Sequence, residues 1–314
     1  MSTPWHMLTR AGPVTFSEEV TLHDTEGDLP LTVRWPQEGA ARGTVVFCHG
    51  LGSSRAAYGE LTEVWAAHGY VVIQPTFPDS INVVAAENPG LGLDPGADLS
   101  GWTANPGLRA AMHAVLHDPD YWLHRVRIVR RIMGCLPDIL RQARGTARGL
   151  PCAIAGHSFG AYTAQLFAGA EIDLPGQGAT RFRDDRFSAA LVLSGQGLDQ
   201  QGLRNGSWDG LTGPVLTVTG TKDGGAKGQD WHWKCEPYEF SPAGDKYLVV
   251  LEGGDHYLGG FTPGEEGITE QKEAVRGVTL AFLDAYLAGD MRAQNWLRLV
   301  EDRIGTAGVL FKSK

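Results

Sequence analysis

Short apolar runs bounded by turn residues alternate along the chain with longer stretches whose apolar positions recur every three or four residues. Continuous or period-two apolar character marks strands, and the longer period marks helices. The pattern predicts an opening antiparallel pair over residues 14–22 and 31–35, then strands over 44–48, 70–74, 152–155, 189–193, 215–219 and 247–251. The runs TVVF, YVVI and LVV are apolar on both faces, as a central parallel strand covered by helices requires. Helices are expected over 58–68, 158–170 and 270–288, each after a strand. In 121–143, Val126, Val129, Met133, Leu136 and Leu140 form one apolar face, and Pro137 predicts a break near Leu136. Together these describe an α/β chain with a mainly parallel, eight-stranded sheet flanked by helices.

Two stretches depart from the alternation. Residues 75–120 are rich in Pro, Gly, Asn and Asp and read as a long loop or small lid-like insertion. Residues 290–314 contain Trp296, Leu297, Leu299 and Val300 and read as an appended C-terminal helix. With no internal repeat and no linker, the 314 residues are expected to form one domain.

Composition narrows the function. A formal charge of −9, without a basic cluster, disfavours binding to a phosphate backbone. No run of 18 apolar residues suggests a membrane span, and the opening residues lack the pattern of an export signal, so a cytoplasmic location is expected. Cys48, Cys135, Cys152 and Cys235 lie far apart and are expected to be buried small hydrophobes. Glycine is in excess, 42 of 314 residues, against a usual share of roughly 7%.

The excess acquires a purpose at Gly156-His157-Ser158-Phe159-Gly160, which directly follows the strand CAIA and precedes the helical AYTAQLFAG. A sharp strand-to-helix turn of this kind exposes the serine hydroxyl above a sheet, and the flanking glycines remove the Cβ atoms that would collide. Serine needs a base and a carboxylate to act as a nucleophile at neutral pH. His256, in the glycine-rich phrase EGGDHYLGG after a strand, is the candidate base. Asp223, in GTKDGG at another strand end, is the candidate acid; Asp199 after the neighbouring strand is the alternative, while the Asp255 side chain should diverge from its neighbour His256. The turn Cys48-His49-Gly50-Leu51-Gly52 offers the Leu51 N–H as one oxyanion donor, and the N–H of Phe159 is the other. His113, His117 and His124 lack the acidic partner and spacing of a metal site. His157 should point away from the serine, and His232 belongs to a packed loop or pocket wall.

The phrases CHGLGSSRAAY, AGHSFGAYTA, TGTKD and GGDHYLGGF resemble the α/β-hydrolase superfamily, and within it the serine esterases grouped with dienelactone hydrolases and platelet-activating-factor acetylhydrolases. The resemblance spans residues 14–287. It implies the α/β-hydrolase fold, a cofactor-free and metal-free mechanism, and the roles nucleophile for Ser158, base for His256, acid for Asp223 and oxyanion donors for Leu51 and Phe159. Dienelactone hydrolases proper use cysteine at the position of Ser158. The implied activity is carboxylic ester hydrolysis on small to medium, moderately hydrophobic esters, aromatic diesters among them. A lipid esterase acting on short acyl chains, an acyltransferase or perhydrolase, and a non-catalytic ligand-binding protein share the same residues and stay open. Phe77, Trp102, Tyr121, Trp122, Trp231, Trp233 and Tyr257 are the aromatic residues that could line such a site, or equally belong to the core.

Overall fold

A computed structural model describes residues 1–17, 20–144, 149–261 and 267–314. In chain order the strands are β1 (Val14–Ser17), β2 (Thr21–Leu22), β3 (Leu29–Pro36), β4 (Gly43–Cys48), β5 (Tyr70–Pro75), β6 (Cys152–His157), β7 (Glu171–Leu174), β8 (Gly178–Arg181), β9 (Phe187–Leu193), β10 (Val215–Gly220), β11 (Lys246–Leu251), β12 (Arg303–Ile304) and β13 (Ala307–Ser313). The helices are α1 (Gly59–Ala67), α2 (Ile81–Glu87), α3 (Pro106–His117), α4 (Pro119–Gly134), α5 (Leu136–Arg144), α6 (Phe159–Ala168), α7 (His232–Glu239), α8 (Thr269–Tyr286) and α9 (Met291–Arg298).

Six strands in the order β5-β4-β6-β9-β10-β11 run parallel at the centre of the sheet. The alternation of side chains along each strand feeds two cores. In β4, Val46 and Cys48 pack beneath α4, α5 and α6, whereas Val45 and Phe47 pack beneath α1 and α8. Helices on both faces explain why these strands are apolar throughout. The break expected near Leu136 falls between α4 and α5, with Cys135 between them and Pro137 in the first turn of α5, where its missing N–H costs nothing.

Three expectations need correction. The sheet has eleven strands among the described residues, not eight. Residues 14–22 hold two short strands, β1 and β2, each antiparallel to β3. The tail is not one helix: α9 ends at Arg298, and β12 and β13 follow as a hairpin that turns at Gly305, φ 59°. Strand β13 adds antiparallel to β11, pairing Leu310 with Val250, and turns Ala307 and Val309 inward. The helical spacing of Trp296 and Leu297 therefore stops short of the alternating run that follows.

Residues 75–120 also contain more order than a loop. Asn105 caps α3 by accepting the N–H of Gly107 at 2.9 Å, and Asp118 caps α4 by accepting that of Asp120 at 2.9 Å. Asn-Pro and Asp-Pro are cap-plus-first-turn pairs here, not breakers. Ile81 and Val84 of α2 and Met112 of α3 close a small core of their own, against which Leu51, Leu99 and Trp102 pack. Cys48, Cys152 and Cys235 are buried, but Cys135 is only half-buried; all four are free thiols. Among the described residues no helix is long and apolar enough to cross a membrane.

Candidate active site

The C-terminal ends of β4, β6, β9, β10 and β11 stand side by side, and the turns that leave them bring the candidate residues together. Ser158 occupies the turn between β6 and α6 with φ 55° and ψ −119°, a strained conformation for a residue with a side chain. A Cβ at Gly156 would overlap the Gly160 backbone, and one at Gly160 would overlap the Cys48 carbonyl. Only glycine at both positions lets β6, α6 and β4 approach this closely.

His256 Nε2 lies 2.9 Å from Ser158 Oγ, and its Nδ1 lies 2.9 Å from Asp223 Oδ1. Asp223, fully buried, also accepts the Thr219 hydroxyl at 2.8 Å. An ionised carboxylate only accepts, so His256 carries its proton on Nδ1 and leaves Nε2 free to accept from Ser158. Asp199 is exposed and makes no hydrogen bond to His256 among the described residues. Asp255 is turned away, accepting the Tyr257 N–H at 3.0 Å.

Several supporting groups have no motif to announce them. Ser194 Oγ lies 2.8 Å from His256 Nδ1. Lys234, 2% exposed, places its ammonium 3.8 Å from Asp223 Oδ1 and donates to the Ser194 carbonyl at 3.2 Å. Burial raises the Asp223 pKa, but Lys234 and the hydrogen bonds from His256 and Ser194 outweigh it and hold the carboxyl well below its ordinary range. Burial pushes Lys234 the other way, downward, with Asp223 opposing.

His157 is the hub of a second chain of hydrogen bonds. Its Nε2–H donates to the His256 carbonyl at 2.6 Å, and its Nδ1 accepts the Tyr58 hydroxyl at 2.9 Å, which in turn accepts the Gly50 N–H at 3.2 Å. Burial, with the neighbouring His256 adding to it, lowers the His157 pKa to about 3, so the ring is neutral. On the other side of the turn, His49 donates from Nδ1 to the Gly50 carbonyl at 2.7 Å and accepts the Phe77 N–H at 2.9 Å. Burial lowers its pKa to about 4. Arg125, fully buried on α4, binds Asp79 with two bonds of 2.7 and 2.5 Å, donates to the His49 carbonyl at 2.9 Å, and lies between the Phe77 and Phe159 rings. It ties the turn after β4 to the start of α6. Neither the Leu51 nor the Phe159 N–H donates to an acceptor among the described residues.

Of these groups, Leu51, Tyr58, His157, Ser158, Lys234 and His256 line a cavity of about 730 Å³. Of the aromatic residues named from the sequence, Trp102, Trp233 and Tyr257 line it, whereas Phe77 and Trp122 are core. The Trp102 indole covers Gly52, at φ 75°, where any Cβ would strike it. His232 is exposed and stacks on Trp231, outside the cavity lining. Among the described residues no group of three metal-ligating side chains is assembled.

No protein-family model matches the chain, and no curated protein matches it closely enough to count as a relative.

Proposed function

We propose that the chain is a serine ester hydrolase of the α/β-hydrolase superfamily, akin to the dienelactone hydrolase and platelet-activating-factor acetylhydrolase group. One observation carries this reading: the unbroken relay from Ser158 Oγ through His256 to Asp223, with both contacts at 2.9 Å, at the wall of a cavity. In this proposal Ser158 attacks the ester carbonyl while His256 Nε2 takes its proton, and Asp223 faces the imidazolium that results. The Leu51 and Phe159 N–H groups receive the oxyanion. His256 then protonates the departing alkoxide, and a water deprotonated by the same nitrogen hydrolyses the acyl-enzyme.

The cavity volume falls within the roughly 300–1,000 Å³ typical of small-molecule sites, in keeping with small to medium esters. The test is hydrolysis of a p-nitrophenyl ester series, with fluorophosphonate labelling. Ser158→Ala is expected to lower kcat by roughly 10⁴-fold or more and to abolish labelling. Undiminished hydrolysis by that variant would overturn the reading.

A further inference from the structure

Buried side-chain amides nearly always find hydrogen-bond partners. Two neighbours in this molecule do not. Gln196 and Gln200, on the loop after β9, are 5% and 3% exposed, and both line the cavity beside Ser158. Gln196 Oε1 and Gln200 Nε2 are buried without a partner, and neither side chain makes a hydrogen bond among the described residues.

The loop that bears them is firmly held by other groups. Gln165 Nε2 donates to the Gln196 carbonyl at 3.3 Å, and Gln165 is itself fixed by the Trp208 indole N–H at 2.6 Å. The Leu198 N–H donates to Glu236 at 2.6 Å, and its carbonyl accepts the Trp233 indole N–H at 2.9 Å. Asp199 and Gln201, on either side of Gln200, adopt φ of 63° and 51°. A backbone strained and pinned in this way, with its two amides left over, is organised for something that arrives from the cavity.

The chemistry of the visitor follows from the walls. Lys234 also lines the cavity, but Asp223 faces its charge, so this side offers no uncompensated cation to a carboxylate. The lining also includes the apolar side chains of Ile81, Leu99 and Trp102, which belong to or pack against one small core. We infer that Gln196 and Gln200 form a polar subsite for a neutral carboxamide carried on one arm of the ester substrate, the rest of which lies on the apolar wall. A carboxamide donates and accepts, as does each of the two unpartnered glutamine amides, so the groups can pair reciprocally; a carboxylate only accepts, and an alkyl group does neither. That the substrate is an ester rests on the proposed hydrolase function, whereas the amide subsite rests on the two glutamines.

The test compares p-nitrophenyl glutaramate with the 5-methylhexanoate ester, in which an isopropyl group replaces the carboxamide, and with the hemiglutarate, which bears a carboxylate. Wild type is expected to favour the glutaramate over both in kcat/KM by roughly tenfold or more. Gln196→Leu and Gln200→Leu should each pull the glutaramate-to-methylhexanoate ratio toward one. Because the ratio is taken within one variant, a general loss of rate cancels. Equal rates of wild type on all three esters, or a preference retained by both variants, would overturn the subsite. Calorimetric titration of Ser158→Ala with the same uncleaved esters reads the preference as affinity. A carboxamide preference there, without Ser158-dependent turnover in wild type, would refute the hydrolase reading and leave the subsite standing; equal affinities would refute the subsite alone.

Discussion

His256 touches Ser158 on one side and both Asp223 and Ser194 on the other, so the identity of the acid can be tested one residue at a time. Asp223→Asn should lower kcat by roughly 10⁴-fold, because an amide no longer enforces the Nδ1–H tautomer. Asp199→Asn, at the exposed position of an otherwise largely buried loop, should leave kcat within a few-fold of wild type; the two rates on one p-nitrophenyl ester decide it. Ser158, Asp223 and His256 were legible from the chain because each follows an apolar strand and sits among glycines. Lys234, Ser194 and Tyr58 were not. Lys234 reads as an ordinary lysine between Trp233 and Cys235, and its role depends on α7 burying it against Asp223 from a distant part of the chain. The Gly50–Tyr58–His157 chain joins residues up to 107 positions apart, and no local pattern encodes such a contact.

Elements differ in how much local sequence decides them. The parallel strands were legible because burial on both faces leaves a continuous apolar run. Helices α2 and α3 were hidden by the Pro, Gly and Asn that cap and start them, and β13 by its nearness to an amphipathic helix. The excursion from 75 to 120 matters to the site because it sets Trp102 over Gly52 and against the small core of Ile81, Val84 and Met112. Trp102→Ala should raise KM for an aryl ester by roughly tenfold, about 1.4 kcal/mol of lost contact, with a smaller change in kcat. Michaelis curves for phenyl and methyl esters of one acid separate the effects: the methyl ester should respond less. An equal response would place the aryl group elsewhere.

The candidate site draws on five adjacent strand ends, and its neutral buried histidines tie its geometry to folding stability. His49 and His157 are held at about 4 and about 3, while in the unfolded chain both titrate near the ordinary value of about 6.5. Between those limits the unfolded state binds protons that the folded state refuses, so stability falls as pH drops from about 6.5, with a slope approaching 1.4 kcal/mol per pH unit for each histidine, and levels off below the folded values. Asp223, held below its ordinary range, contributes stability that is lost only below about pH 4. Urea midpoints between pH 7 and pH 4.5 should show this decline, and His157→Gln should make it shallower.

The C-terminal hairpin has a colloidal consequence. Strand β11 leads into the loop that holds His256, and it is an interior strand only because β13 pairs along it and the two-residue β12 closes the sheet beyond. Stripped of residues 299–314, β11 would become a long, apolar, unpaired edge, the kind of surface along which sheets of separate molecules join. Truncation at that point should therefore produce inactivity and precipitation together, with light scattering rising as esterase activity falls.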